Sequence, residues 1–296
     1  MRIVVLDIGG TVIKSGIIEN GNLSLKIKTP SNANLGGPYI IDTAKNIISG
    51  YGVVDGIGIS TAGQVDSEKG SIVYANPNIL DYTGMNIQDI LQTAFNVPVV
   101  IENDVNAVAV SESIFGAGST HNEKSFLCLT FGTGVGGAIV YKGKVFKGAS
   151  FSAAEFGHII THGSKDENGY YEKYASTKAL IDNAKNVMPE LDDGRDVFAN
   201  IGNPGIKEVI DDWIQEILYG LVSLIHIFNP PLIVLGGGVM SQDYVIETLQ
   251  QKINNYIMPS FSAVKLVQAS LGNDAGLWGV GYLAGLKLNT EIKKLS

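Results

Sequence analysis

The sequence predicts an α/β fold made of two similar halves. Three glycine-rich turns carry that expectation, each at the end of an apolar run. They are Asp7-Ile8-Gly9-Gly10-Thr11, Thr130-Phe131-Gly132-Thr133-Gly134-Val135-Gly136-Gly137 and Leu235-Gly236-Gly237-Gly238. The first two share a plan: strand, polar end residue, glycines with threonine, second strand. Glycine lets the backbone turn sharply and bring bare N–H groups against an anion, and threonine adds a hydroxyl donor. Either set alone fits a plain hairpin. Two in sequence order, with a third opening a helix, suggest a duplicated fold that grips a nucleotide between its halves.

The elements follow in order. Ile3 to Ile8 is an apolar strand, Val12 to Glu19 continues after the first turn, and Asn20-Gly21 is a hairpin signal into Leu23 to Lys28. Tyr39 to Ile48 and Ile87 to Phe95 have helical spacing, while Gly56 to Ser60 and the β-branched run Val97 to Ile101 read as strands. A helix is expected from Asn103 to Phe115. The pattern then restarts with Phe126 to Phe131, a glycine turn, Val135 to Tyr141, a Lys142-Gly143 turn and a further short strand. Ile206 to Phe228 reads as a long helix stopped by Asn229-Pro230-Pro231. Leu232 to Leu235 is a buried strand entering the triple glycine, which precedes a helix capped by Ser241 or Asp243. Tyr244 to Ile257 and Gly276 to Leu286 are further helices. No Pro- or Ser-rich linker separates the halves.

Composition narrows the class. With 45% hydrophobic and 17% charged residues, the 296-residue chain has an ordinary globular balance, enough for two domains. Its 36 glycines exceed the usual ~7% and fall largely in turns. A net charge of −8 argues against nonspecific nucleic-acid binding, though local N–H nests attract phosphate whatever the global charge. The one cysteine, Cys128, lies in a strand apolar on both faces and reads as a core residue. No membrane-spanning run or signal-peptide pattern is present, so a cytoplasmic protein without membrane contact is expected.

Taken together, the glycine turns, Glu102-Asn103-Asp104-Val105-Asn106-Ala107, Glu155-Phe156-Gly157-His158 and Gly272-Asn273-Asp274-Ala275-Gly276 resemble the ROK family (repressors, open reading frames, sugar kinases), in order and over essentially the whole chain. The resemblance implies the actin-like ATPase fold, with two α/β domains around a cleft. We place them at residues 1–118 with a returning helix at about 284–296, and at 119–283. It also implies a homodimer, and either a sugar kinase or a sugar-sensing repressor. Repressors carry a helix-turn-helix before the first phosphate motif. That motif begins here at Asp7, leaving no room for one.

The resemblance implies roles for particular residues. Asp7 would hold Mg²⁺ through water, the alternative being an aspartate that stabilises the turn. Gly9, Gly10, Thr11 and Lys14 would line one side of the ATP phosphates, and Gly132, Thr133, Gly134 and Gly136 the other. Gly236, Gly237 and Gly238 suit a close approach to adenine and ribose. Asp104 would be the general base, where its position alone also fits a helix N-cap. Asn103, Glu155, His158 and Glu172 would bind sugar hydroxyls, and Gly63 and Asn76 belong to the sugar side, although Asn76 also fits a turn. His121, His162 and His226 receive no role.

One departure stands out. Members of the family it resembles usually carry a zinc site made of the histidine at the His158 position and three cysteines, and the corresponding cysteine positions here hold Gly163, Lys165 and Tyr170. A tetrahedral structural zinc needs four soft or imidazole ligands, so no zinc site is expected. The charged loop Ser164 to Gly169 is expected to move. The family segment Ser60 to Asp66 also has Ala62 in place of the usual proline. The resulting expectation is ATP-dependent phosphorylation of a hexose or N-acyl-hexosamine: glucose, N-acetylmannosamine or a β-glucoside. The rivals are a nonenzymatic sugar sensor and an acetate-kinase-like phosphotransferase. Asp104 argues against the first, since a sensor needs no base, and the paired glutamates and asparagines argue against the second.

Overall fold

β1 (Arg2–Ile8) runs through the centre of its sheet because Ile3 to Leu6 are fully buried on both faces. The structure, a computed structural model, describes residues 1–75, 79–163 and 169–289. By internal packing the chain divides into two compact units. The first holds residues 1–115, 147–153 and the chain from 274, and the second holds 116–146 and 154–273.

In the first unit β1, β2 (Val12–Glu19) and β3 (Asn22–Pro30) form an antiparallel meander. Asn20 and Gly21 both take the positive φ that a two-residue hairpin requires. After α1 (Gly37–Gly50), β4 (Gly56–Thr61) pairs parallel to β1. A small hairpin of β5 (Gln64–Asp66) and β6 (Ser71–Tyr74) follows, unforeseen because its strands are short and unpatterned. α2 (Ile87–Phe95) then leads to β7 (Val99–Asn103), parallel to β4, which passes directly into α3 (Asp104–Phe115). The expected strand ends two residues earlier, at Ile101, and the expected helix begins one residue earlier, at Asn103. Asn103 instead closes the strand, because its backbone pairs with Thr61 while its side-chain oxygen accepts the Asn106 N–H at 3.0 Å.

The second unit repeats the plan. α4 (Ala117–Thr120) precedes β8 (Phe126–Phe131), β9 (Val135–Tyr141) and β10 (Lys144–Val145). Then come α5 (Glu172–Ala175), α6 (Thr177–Lys185), α7 (Gly194–Ala199), α8 (Pro204–Phe228), β11 (Leu232–Gly236), α9 (Asp243–Ile253) and β12 (Lys265–Gln268). The two sheet orders, β3-β2-β1-β4-β7 and β10-β9-β8-β11-β12, match strand for strand. α8 begins two residues before its apolar pattern because Asn203 caps it and Pro204 fits its first turn. The expected cap on α9 is not observed. A turn of 3-10 helix (Gly238–Ser241) intervenes, Gln242 holds the cap position without a side-chain bond, and Asp243 opens the helix.

Each sheet buries its apolar faces against helices. α8 supplies Trp213, Ile217 and Leu221 to the core behind β8 and β11, where Cys128 is fully buried as the sequence suggests. α10 (Ala275–Lys287) returns to the first unit and packs Leu277, Trp278 and Val280 against Ile3, Val5 and Ile18. It lies so close to α3 that a Cβ at Gly279 would fall 1.9 Å from the Ala107 carbonyl oxygen. Among the described residues, no helix is long and apolar enough to cross a membrane.

Candidate active site

Three parallel strands of the first unit end on one edge of their sheet. Asp7 stands beside Ser60 and Ser60 beside Glu102; one row on, Ile8, Thr61 and Asn103 align. Asp7 and the Asn103-Asp104 corner therefore share that edge two strand spacings apart, or about 10 Å. Carboxyl edges of parallel strands are where α/β sheets place ligands.

The Asp7 carboxylate is held from both sides. Ser60 Oγ donates to Oδ1 at 2.9 Å, and Lys14, opposite Asp7 on β2, places Nζ 3.1 Å from Oδ2. The first glycine turn is closed by the Gly9 N–H donating to the Val12 carbonyl at 3.1 Å, and Ser31 Oγ donates to the Gly10 carbonyl at 2.8 Å. Thr11 faces solvent. A single, partly exposed carboxylate with a neighbouring hydroxyl suits a hydrated hard cation, which keeps most of its own waters.

The corner at Asp104 is a small hydrogen-bonded lattice. Asn103 Nδ2 donates to the Gly63 carbonyl at 2.9 Å and to Asp104 Oδ1 at 3.0 Å. The Val105 N–H also donates to Asp104 Oδ1, at 2.9 Å. Gly63 is thereby joined to the corner from 40 residues away. Asn76 lies outside the described residues.

In the second unit the glycine turns line one cavity of about 400 Å³, within the usual ligand range of about 300–1,000 Å³. Gly132, Thr133 and Gly238 meet there, with Phe131 behind them. The opposite wall is α6, through Thr177, Lys178, Ile181 and Asp182. Thr177 Oγ1 donates to the Phe131 carbonyl at 3.0 Å and the Lys178 N–H to the Gly132 carbonyl at 3.2 Å, fixing helix to turn. Gly237 is required by its φ of +114° and by Phe131, whose carbonyl oxygen would stand 2.1 Å from a Cβ there. Sequence reasoning missed α6. Its usable signal was Ser176, which caps the helix by accepting the Ala179 N–H.

Glu172 reaches over the same turn, with Oε2 3.4 Å from the Val135 N–H and close against Gly134 and Gly157. Glu155 and His158 are exposed, 4.0 Å apart between Oε2 and Nδ1. Tyr170, at the third expected cysteine position, packs its ring 5.6 Å from that of His158. Lys165 and most of the Ser164 to Gly169 loop lie outside the described residues. Among the described residues, no group of three or more His, Cys, Asp or Glu stands together as a metal cluster. Elemental analysis is expected to find far less than one zinc per chain, with a zinc chelator leaving the melting temperature unchanged; stoichiometric zinc would overturn this.

The three histidines without a role are all engaged. His121 and His226 bond carbonyls four residues back, and His162 Nε2 lies 2.6 Å from Glu216 Oε2 with its ring over Tyr174. Strain sits beside Glu155, where Ala154 holds φ +68°. That conformation costs a non-glycine residue ~1–2 kcal/mol, against ~0.4–1 kcal/mol of extra unfolded-state entropy for glycine. Ala154→Gly is therefore expected to stabilise by about 0.5–1 kcal/mol, read as a higher urea midpoint. A lower midpoint would mean that the Ala154 methyl group packs favourably enough to outweigh the strain.

Two sheets of one strand order, each with a glycine turn inside its first hairpin, define a duplicated α/β protein of the actin-like ATPase fold. The sequence model of the ROK family matches residues 3–286, and the chain belongs to that family. It is 32% identical to a glucokinase of Streptomyces coelicolor over 94% of this chain and 96% of the relative. It is 30% identical to a beta-glucoside kinase of Klebsiella pneumoniae over 95% of each. The structure of a ROK glucokinase from Streptomyces griseus with glucose and AMPPNP superposes with a TM-score of 0.83 at 29% identity, covering 97% of this chain and 100% of that one.

Proposed function

We propose that this chain is an ATP-dependent kinase of a hexose or N-acyl-hexosamine, with Asp104 as general base. The observation that carries the reading is the shared sheet edge, which sets a cation-suited carboxylate, Asp7, two strands from the Asn103-Asp104 corner. The relatives' activities, glucokinase and beta-glucoside kinase, support a sugar acceptor.

In this reading Asn103, Glu155, His158 and Glu172 bind the sugar hydroxyls, with Gly63 holding the Asn103 side chain and Asn76 as a further sugar-side residue. Gly9, Gly10, Thr11 and Lys14 take one side of the phosphates and Gly132, Thr133, Gly134 and Gly136 the other. Gly236, Gly237 and Gly238 with α6 receive adenine and ribose. Mg²⁺, when bound near Asp7, neutralises phosphate charge. The sugar hydroxyl oxygen bonds to the γ-phosphorus, the bond to the β-phosphate oxygen breaks, and the hydroxyl proton passes to the Asp104 carboxylate. ADP leaves with the bridging oxygen. We place the active enzyme in the cytoplasm as a homodimer.

A panel of glucose, N-acetylmannosamine and β-glucosides, assayed by ADP release, tests the reading. Sugar-dependent ADP formation with at least one is expected. A folded protein that binds a sugar yet releases no ADP above background would instead support a nonenzymatic sensor.

A further inference from the structure

Glu102 is only 3% exposed, yet it carries a carboxylate one residue before the Asn103-Asp104 corner. Its Oε1 accepts the Asn103 N–H at 3.0 Å and Asn106 Nδ2 at 3.1 Å. Asn106 in turn gives its N–H to Asn103 Oδ1, and Asn103 Nδ2 holds Asp104 Oδ1. A closed chain of bonds thus runs from Glu102 to the carboxylate read as the base. The other Glu102 oxygen, Oε2, lies 3.3 Å from Lys147 Nζ. Lys147 is 31% exposed, comes from the short segment 147–153 of the first unit and also donates to Ser67 Oγ in the β5–β6 turn. A buried carboxylate without a counter-charge is strongly unfavourable, and a charged acceptor makes roughly twice the bond of a neutral one.

We infer that Lys147, acting through Glu102, is a positioning residue for the Asn103-Asp104 corner. Neither residue reaches the transferred phosphate in this reading, which rests on Asp104 as the base. Lys147 holds Glu102 turned so that one oxygen fixes both Asn103 and Asn106. Without the lysine, the carboxylate rotates toward solvent or another donor and the corner loosens. Misplacement of a reacting group by about 1 Å costs up to about 100-fold in rate.

The test compares Lys147→Met, Lys147→Arg, Glu102→Gln and the charge-neutral double variant Lys147→Met/Glu102→Gln on the sugar identified by ADP release. Lys147→Met and Glu102→Gln should each lose about 10- to 100-fold in kcat with the KM for ATP within about twofold, because the phosphate turns are untouched. Lys147→Arg should keep most of the turnover. The double variant, in which a glutamine oxygen can still face Asn103 and Asn106, should fall between wild type and either single variant. If the single variants fail to fold, the double variant decides: turnover equal to wild type overturns the inference. It is equally overturned if the folded single variants keep wild-type kcat and lose only melting temperature, or if Lys147→Arg is as slow as Lys147→Met. Should the wild type phosphorylate no sugar, the kinase reading fails, but the positioning remains readable by NMR. The Asn103 amide resonance should move in Lys147→Met and return in Lys147→Arg, and an unmoved resonance overturns the inference.

Discussion

Asp104→Asn is expected to lower kcat by ~10²–10⁴-fold while both substrates still bind, the range for a positioned general base. The structure makes this substitution clean. Asp104 Oδ1 accepts bonds from the Val105 N–H and Asn103 Nδ2, and an asparagine oxygen can accept both. Both of these bonds at the opening of α3 are therefore kept, while the carboxylate charge is lost. Phosphoryl transfer passes through a loose transition state, so late proton loss sets the effect toward the lower end. Were Asp104 only a helix-opening residue, asparagine would serve almost equally well. Steady-state kinetics on the folded variant separate the two, and near-wild-type kcat would falsify the catalytic role.

Glu172→Ala is expected to weaken sugar binding by about 10- to 150-fold and ATP binding far less. The loss of a charged acceptor from a partly buried hydroxyl costs about 1.5–3 kcal/mol. Glu172 is half-buried at the start of α5, its carboxylate against Gly134 and Gly157. That contact gives the residue a second duty in shaping the turn, so calorimetry should follow both ligands on one preparation. An unchanged sugar constant removes Glu172 from the sugar site. Equal losses for sugar and ATP would reassign it to the turn alone.

The repeated hairpin was legible in the sequence because the first strand of each copy is largely apolar on both faces and is followed by a glycine-rich turn. Continuous apolar runs with glycine punctuation have few other folded solutions. The strand and helix that meet at the Asn103-Asp104 corner were misplaced in the sequence reading, since pairing with Thr61, distant in sequence, carries the strand on to Asn103. α6 was missed because it is short and carries few apolar residues, and its place against the glycine turn depends on contacts from 46 residues away. Lys147 escaped notice for a related reason. Nothing near it in sequence signals a buried carboxylate, because Glu102 reaches it only through the fold.

The return of α10 to the first unit has a consequence for synthesis on the ribosome. The sheet of β1, β4 and β7 is translated within the first 103 residues, but the helix covering Ile3, Val5 and Ile18 starts only at Ala275. At about 5–20 residues per second the intervening chain takes roughly 9–34 s to emerge, and that apolar face lacks its α10 cover throughout. Apart from the segment 147–153, the second unit is uninterrupted from residue 116 to 273 and can condense before α10 exists. The half of the molecule that is made first is therefore completed last, which leaves an apolar strand face for a chaperone to shield.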